Sequence, residues 1–254
     1  MNALARINPF YAARVFRSAA PARSAERQAA SRPVYAKLPA APVNASPVPQ
    51  LTSLYHNDEA GPYGDRSYPG NCGGHLIRDL LRYFRPRIVF DPMSGSGTCK
   101  DVCLELGIPC KSADIHQGFD ACEPCGDGPG FDFIWAHPPY WRQKLYADDP
   151  RDLSRAPTLD DFLRRYGQFI RNCAMQLDPG GKLAILMGDY CDREEGMVPL
   201  VFYTKLHAFR AGLKQHCTDI IRFSHGASSS RKVYRSSFIP GLHDVCMVFE
   251  KPTN

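Results

Sequence analysis

Apolar side chains recur at helical spacing from residue 76: Leu76, Ile77, Leu80, Leu81 and Phe84 lie on one face of a helix that Arg85-Pro86 should end. "RIVF" (87–90) follows as a short apolar strand, and "DPMSGSGT" (91–98) as a glycine-rich turn. The pattern then predicts a helix from Cys99 to Leu106 closed by Gly107, and a strand "IPCKSAD" over 108–114. "FDFIWA" (131–136) reads as a third strand, and Leu159 to Leu177 as a long amphipathic helix stopped by Asp178-Pro179-Gly180-Gly181. "KLAILMGD" (182–189) is a strand, about Val198 to Leu213 a helix, and "TDIIRF" (218–223) and "HDVCMVFEK" (243–251) are closing strands. Strands alternating with helices predict an α/β fold with a doubly wound, mostly parallel sheet. The last two strands have no helix between them, which predicts an antiparallel edge strand.

Two connections do not behave as plain turns. Asp91-Pro92-Met93-Ser94-Gly95-Ser96-Gly97-Thr98 stands where a strand hands over to a helix. Glycines there let the backbone take positive φ and approach a ligand, and the helix start aims free N–H groups into the crevice at the strand ends. Asp91 closes its strand, where a carboxylate suits an ammonium or hydroxyls. Asp114 closes the next strand, where an acid commonly holds a ribose. The Gly-Lys-Ser/Thr of a phosphate loop and the strict G-x-G-x-x-G spacing are both missing. The second connection, His137-Pro138-Pro139-Tyr140, ends a core strand with two prolines that fix φ and remove two donors. It leaves a stiff turn offering carbonyl oxygens, a polar ring and a flat aromatic.

Charge changes the picture once it is located. The net charge of +5 hides an N-terminal excess: residues 1–50 carry Arg6, Arg14, Arg17, Arg23, Arg27, Arg32 and Lys37 against Glu26 alone. The remainder is close to neutral, so nucleic-acid contact requires the tail or a local patch. Residues 1–50, rich in Ala, Arg, Ser and Pro, read as a disordered basic tail or a targeting segment, and 51–254 as the folded domain. No apolar run is long enough for a membrane-spanning helix. Ten scattered cysteines without a secretory leader suggest a reduced, cytoplasmic protein, or an organellar one if the tail is a transit peptide. The tightest pair, Cys122-x-x-Cys125, offers two ligands where structural zinc needs four, so no metal site is expected.

Taken in order, Asp91-Pro92-x-x-Gly95-Ser96-Gly97-Thr98, Asp114 and His137-Pro138-Pro139-Tyr140 resemble the S-adenosylmethionine-dependent amino-methyltransferases that modify adenine or cytosine in DNA. The resemblance runs over about residues 65–251 and takes in "SYPGNCGGHLIRDLLRYF" before the glycine turn. It implies a class I, Rossmann-like methyltransferase fold and S-adenosyl-L-methionine as cofactor. Gly70 and Asn71 become candidate cofactor contacts. Asp91, Met93, Ser94, Gly95, Ser96, Gly97 and Thr98 would hold the methionine part, Asp114 the ribose and Asp120 the adenine.

The resemblance also assigns the proline turn a role. The Pro138 carbonyl and the His137 side chain would accept the hydrogens of an exocyclic amine, Pro139 would stiffen the turn, and Tyr140 would stack on an extruded base. The family usually has Asp, Asn or Ser where this chain has His137. A neutral imidazole accepts one hydrogen bond and can take up the released proton, whereas a protonated ring cannot accept. Target recognition would fall to the insertion 141–159 and the basic loop 224–237, with Arg142, Lys144, Arg231, Lys232 and Arg235 as candidate nucleic-acid contacts. Tyr146, Asp148, Asp149 and Asp152 are candidates for the pocket mouth. DNA is the expected partner. The alternatives are RNA, a protein glutamine amide, or an inactive homologue that only binds.

Overall fold

The strand "FDFIWA" is apolar from Phe133 to Ala136 because both of its faces are covered there. In the computed structural model it forms β4 (Phe131–Ala136), with Phe133 and Trp135 facing one core and Ile134 and Ala136 the other. The same alternation runs along β5 (Leu177–Met187) and β10 (His243–Glu250): Leu183, Ile185, Met187, Val245, Met247 and Phe249 face one side, and Ala184, Leu186, Cys246 and Val248 the other. The structure describes residues 43–253 except 58, 125–129, 224–238 and 240.

The remaining elements are β1 (Leu54–His56), α1 (His75–Phe84), β2 (Val89–Asp91), α2 (Thr98–Leu106), β3 (Cys110–Ser112) and α3 (Leu159–Gln176). They are followed by β6 (Tyr190–Cys191), β7 (Met197–Val198), α4 (Leu200–Arg210), β8 (Lys214–Gln215) and β9 (Ile220–Phe223). One sheet has the order β1-β9-β10-β5-β4-β2-β3, with β8 pairing β10. The pairs β1–β9, β9–β10, β10–β5, β5–β4, β4–β2 and β2–β3 are parallel except those of β10. Leu76, Ile77, Leu80 and Leu81 of α1 join Cys99, Val102 and Cys103 of α2 over one face. Phe162, Tyr166, Phe169 and Ile170 of α3 join Leu200 and Ala208 of α4 over the other. This is the predicted doubly wound, mostly parallel arrangement.

Several details differ from the prediction. The last two strands do pair antiparallel, but β10, the strand that runs against its neighbours, lies between β5 and β9, and the short β1 pairs outside β9, so neither stands at the rim. Three residues are too few to show a period, and β1 is held by Tyr55, buried with its hydroxyl donating to Asp79 Oδ2 at 2.9 Å. Strand β5 begins at Leu177 instead of residue 182. The Asp178-Pro179-Gly180-Gly181 stretch sits inside the strand as a bulge: Leu177 opposes Phe131 and Lys182 already opposes Phe133. Hydrogen bonds from Gly180 N to Lys251 O (2.7 Å) and from Lys251 N to Gly181 O (3.0 Å) tie the bulge to the chain's end. Helix α4 is shorter than predicted, since Met197 and Val198 pair with Tyr190 and Cys191 instead. The described residues form one compact unit, and Val48, on the tail side of the predicted boundary, is buried in it.

Phe133→Ala should cost about 3–5 kcal/mol, the usual loss for emptying a large aromatic site in a closed core, since its ring is fully inaccessible between the sheet and α1. A urea midpoint within error of wild type would contradict this packing.

Candidate active site

Strand β2 lies between β3 and β4, so the connections leaving β2 and β4 diverge above their carboxyl ends and open a crevice. The register sets Phe90 against Ile134, which places the glycine turn and the proline turn side by side. Both line one open cleft.

The glycine turn is shaped by its own hydrogen bonds. Gly95 (φ +44°) and Gly97 (φ +81°) are left-handed, a conformation side chains resist. Gly95 N–H donates to Asp114 Oδ2 at 2.8 Å and Ser94 N–H to Ala113 O at 3.0 Å, which lashes the turn to the end of β3. Asp114 Oδ1 accepts from His116 N at 3.0 Å. Asp91, only 2% exposed, accepts from Met93 N at 3.2 Å. Burial pushes its carboxyl well above the usual range, and it has no ion-pair partner among the described residues. Asp120 accepts from Cys122 N (2.8 Å) and lies 3.7 Å from Arg165.

The segment before α1 forms one wall. Asp65 N–H donates to Ser96 O (2.9 Å) and Gly64 N–H to Asp101 Oδ2 (2.8 Å), so this loop rides on the glycine turn. Tyr68 covers Gly95, where a Cβ would come within 2.9 Å of its ring, and stacks on Tyr146 with ring centres 6.0 Å apart. Tyr146 in turn covers Gly70, whose added Cβ would lie 2.9 Å from the phenolic oxygen. Opposite, residues 146–154 are knotted around Asp152, which accepts from Ala147 N (2.8 Å), Ser154 N (2.9 Å) and Ser154 Oγ (2.6 Å).

At the proline turn, His137 and Pro139 line the cleft. His137 Nε2 lies 3.2 Å from the Tyr140 hydroxyl. That hydroxyl also bonds Asp244, and burial followed by the Asp244 charge pushes Tyr140 far above the ordinary phenol range. Asp244 pairs with buried Arg222 at 2.6 Å, and Arg222 donates to the Cys72 carbonyl. The chain leaves through Trp141, left-handed at φ +46°. That conformation costs about 1–2 kcal/mol in an L-residue; here it is held by full burial of the indole and its 2.9 Å donation to Ala156 O.

The structure therefore brings Gly70, Asp91, Met93, Ser94, Gly95, Ser96, Thr98, Asp114, Asp120, His137 and Pro139 to one cleft. Other expected residues lie elsewhere. Asn71 does not line it: its amide donates to the carbonyls of Tyr63 and Asp65 and accepts from Gly73 N, holding its own loop. Gly97 caps α2 behind the turn. Pro138 is buried, and Tyr140 packs on the core where Gly188 leaves room, with an added Cβ 2.9 Å from its ring. Arg142 is not a free cation. It stacks on Trp141 and forks onto Asp192 at 2.9 and 2.7 Å while reaching Glu194 at 2.6 Å. Lys144 is exposed, whereas Arg231, Lys232 and Arg235 fall outside the described residues. Asp152 and Tyr146 do line the cleft, as do Tyr68, Phe119, Arg151 and Leu153, which sequence reading did not single out. The usable clue to Tyr68 and Tyr146 was that Gly95 and Gly70 must be small for something to cover them.

No protein-family model and no curated protein matches the sequence. Solved structures do resemble the fold. A candidate DNA modification methylase from Thermus thermophilus, complexed with S-adenosyl-L-methionine, aligns at 21% identity and TM-score 0.36 over 53% of this chain and 52% of its own. The chain thus spans about half the length of that protein. The 1,6-didemethyltoxoflavin-N1-methyltransferase of Burkholderia thailandensis, with bound S-adenosylhomocysteine, aligns at 14% identity and TM-score 0.43 over 70% and 77%. At such identities the likeness is one of fold and does not reach the substrate.

The Arg142 guanidinium holds the Asp192 carboxyl well below its usual range. A depressed folded value means the stabilisation is complete above the ordinary carboxylate range and fades as pH falls through the lowered value. Arg142→Ala should lower the Tm near neutrality, with the gap to wild type closing in strong acid. A gap that stays constant across the acid range would contradict the pairing.

Proposed function

We propose that the chain is an S-adenosylmethionine-dependent methyltransferase acting on an exocyclic amino nitrogen of a nucleic-acid base, with DNA as the first substrate to test. One observation carries the reading: a glycine turn closed by Asp91 and Asp114 and a His-Pro-Pro turn, on neighbouring strands, wall a single cleft.

The residues suit that cofactor. Asp91 is a buried carboxylate lacking a cationic partner among the described residues, and an amino-acid ammonium would supply one. Gly95 and Gly70 keep the floor thin beneath Tyr68 and Tyr146. Asp114, held by two backbone N–H groups, presents a fixed carboxylate at the ribose position. When bound, the cofactor supplies an electrophilic methyl on a sulfonium; the protein supplies alignment.

The acceptor side depends on His137. His137 Nε2 lies 3.2 Å from the Tyr140 hydroxyl, which also bonds Asp244, so the ring is held in place from behind. A neutral imidazole can accept an amine hydrogen and take up the released proton. Tyr140 thus acts by positioning His137, and the aromatic residues lining the cleft are Tyr68, Phe119, Trp135 and Tyr146.

A protein amide is the second reading, and the charge pattern favours it. Within the described insertion Arg142 is forked onto the buried Asp192, which occupies its guanidinium, and Arg151 and Arg155 each lie against a carboxylate that offsets their charge.

Two measurements test this. S-adenosylhomocysteine should bind to the wild type. In Gly95→Ala, strain of about 1–2 kcal/mol plus the clash with Tyr68 should weaken binding roughly tenfold or more. Labelled methyl from the cofactor should enter DNA as a methylamino base, and His137→Ala should slow transfer about 10²–10⁴-fold, the range for losing an acid–base group. Label entering only protein supports the amide reading, and cofactor binding without transfer to DNA, RNA or protein rejects both.

A further inference from the structure

Three thiols meet beside the first turns of α2, just past the glycine turn. The sulfurs of Cys99, Cys103 and Cys110 all lie within 4.8 Å of one another, and no other described trio of thiol, imidazole or carboxylate groups converges in this way. Sequence order conceals the cluster, because Cys99-x3-Cys103 has a ligand-like spacing but no second pair follows it, and Cys110 stands alone after six intervening residues. The fold assembles it in two steps. Cys99 and Cys103 occupy successive turns on one face of α2. Gly107, left-handed at φ +67°, then reverses the chain, and Ile108 N–H donates to Cys103 O at 2.9 Å, which lays Cys110 of β3 beside them.

We propose that Cys99, Cys103 and Cys110 form a binding site for a soft, thiophilic metal ion held by three thiolates, of the Cu(I) class. Metal–thiolate bonds of about 2.3 Å place three sulfurs around one ion roughly 4 Å apart, inside the spread already present. The donor set is all sulfur, which selects soft ions. A structural zinc site needs a fourth ligand, and the cluster includes no histidine or carboxylate. Cys99 and Cys103 are buried and Cys110 half-buried, so the site is dry inside with one sulfur toward the entry side. On binding, each thiol gives its proton to solvent and no electron is transferred. The anionic centre has an exposed cation beside it in Lys100. Buried cysteines often serve only as small apolar side chains; convergence of three sulfurs across two elements is what burial alone does not require. The ion would join α2, which starts at the glycine turn, to β3, which leads to Asp114.

The test uses the full, reduced chain titrated with Cu(I) against a Cu(I) chelator, reading the thiolate-to-metal charge-transfer absorption in the ultraviolet. One equivalent should bind and raise the Tm. Cys103→Ser and Cys110→Ser should each weaken binding by more than the roughly 10–100-fold cost of losing a supporting contact. Cys122→Ser and Cys217→Ser should leave it unchanged. Circular dichroism checks folding, and if Cys103→Ser fails to fold, the half-buried Cys110→Ser carries the test. Unchanged binding in Cys110→Ser, loss confined to Cys122→Ser, or Zn(II) binding as tightly as Cu(I) would each overturn the assignment.

Discussion

The pairing of β2 with β4, Val89 opposite Phe133 and Phe90 opposite Ile134, is the contact on which the cleft depends. It brings together two turns that are far apart in sequence and places both at the carboxyl ends of parallel strands. Its strength comes from burial on both faces: Phe133 and Trp135 pack under α1 and α2, and Ile134 and Ala136 under α3. A one-residue slip would exchange these faces and turn His137 away from the glycine turn.

Around that contact, backbone donors are used to position carboxylates. Asp114 is the clearest instance, since its two oxygens accept from Gly95 and His116 and thereby define the curvature of the turn. Asp152 does the same for the opposite wall. Each acid both builds a loop and faces the cleft, so removing either charge alters shape as well as electrostatics. Asp91 differs, being buried with a single backbone donor, which makes it the residue at the cleft with most to gain from a cationic ligand.

The proline turn is supported from behind by a buried chain of polar groups: His137, Tyr140, Asp244, Arg222 and the Cys72 carbonyl. It reaches from the proline turn to the wall beside Gly73 and crosses β9 and β10, the antiparallel pair. A low-dielectric network of this kind fixes orientation more firmly than a surface contact does. The arginines of the insertion serve a similar structural end, pinning residues 141–155 to neighbouring carboxylates.

Much of this was legible in the sequence. Long periodic or largely apolar segments, α1, α3, β4 and β10, declare themselves because burial dictates their side chains residue by residue. The two turns declare themselves because glycine and proline restrict backbone geometry wherever they stand. Three things needed the tertiary structure. Arg142 and Asn71 look available in sequence but are consumed by Asp192 and by neighbouring carbonyls, partners that only folding brings near. Tyr140 looks like a stacking face, yet Gly188, just past the end of β5, opens a berth that draws it into the core. Cys99, Cys103 and Cys110 look scattered until a left-handed glycine folds β3 back along α2. Local chemistry is written along the chain; which groups answer one another depends on contacts between distant segments, and these the chain order does not reveal.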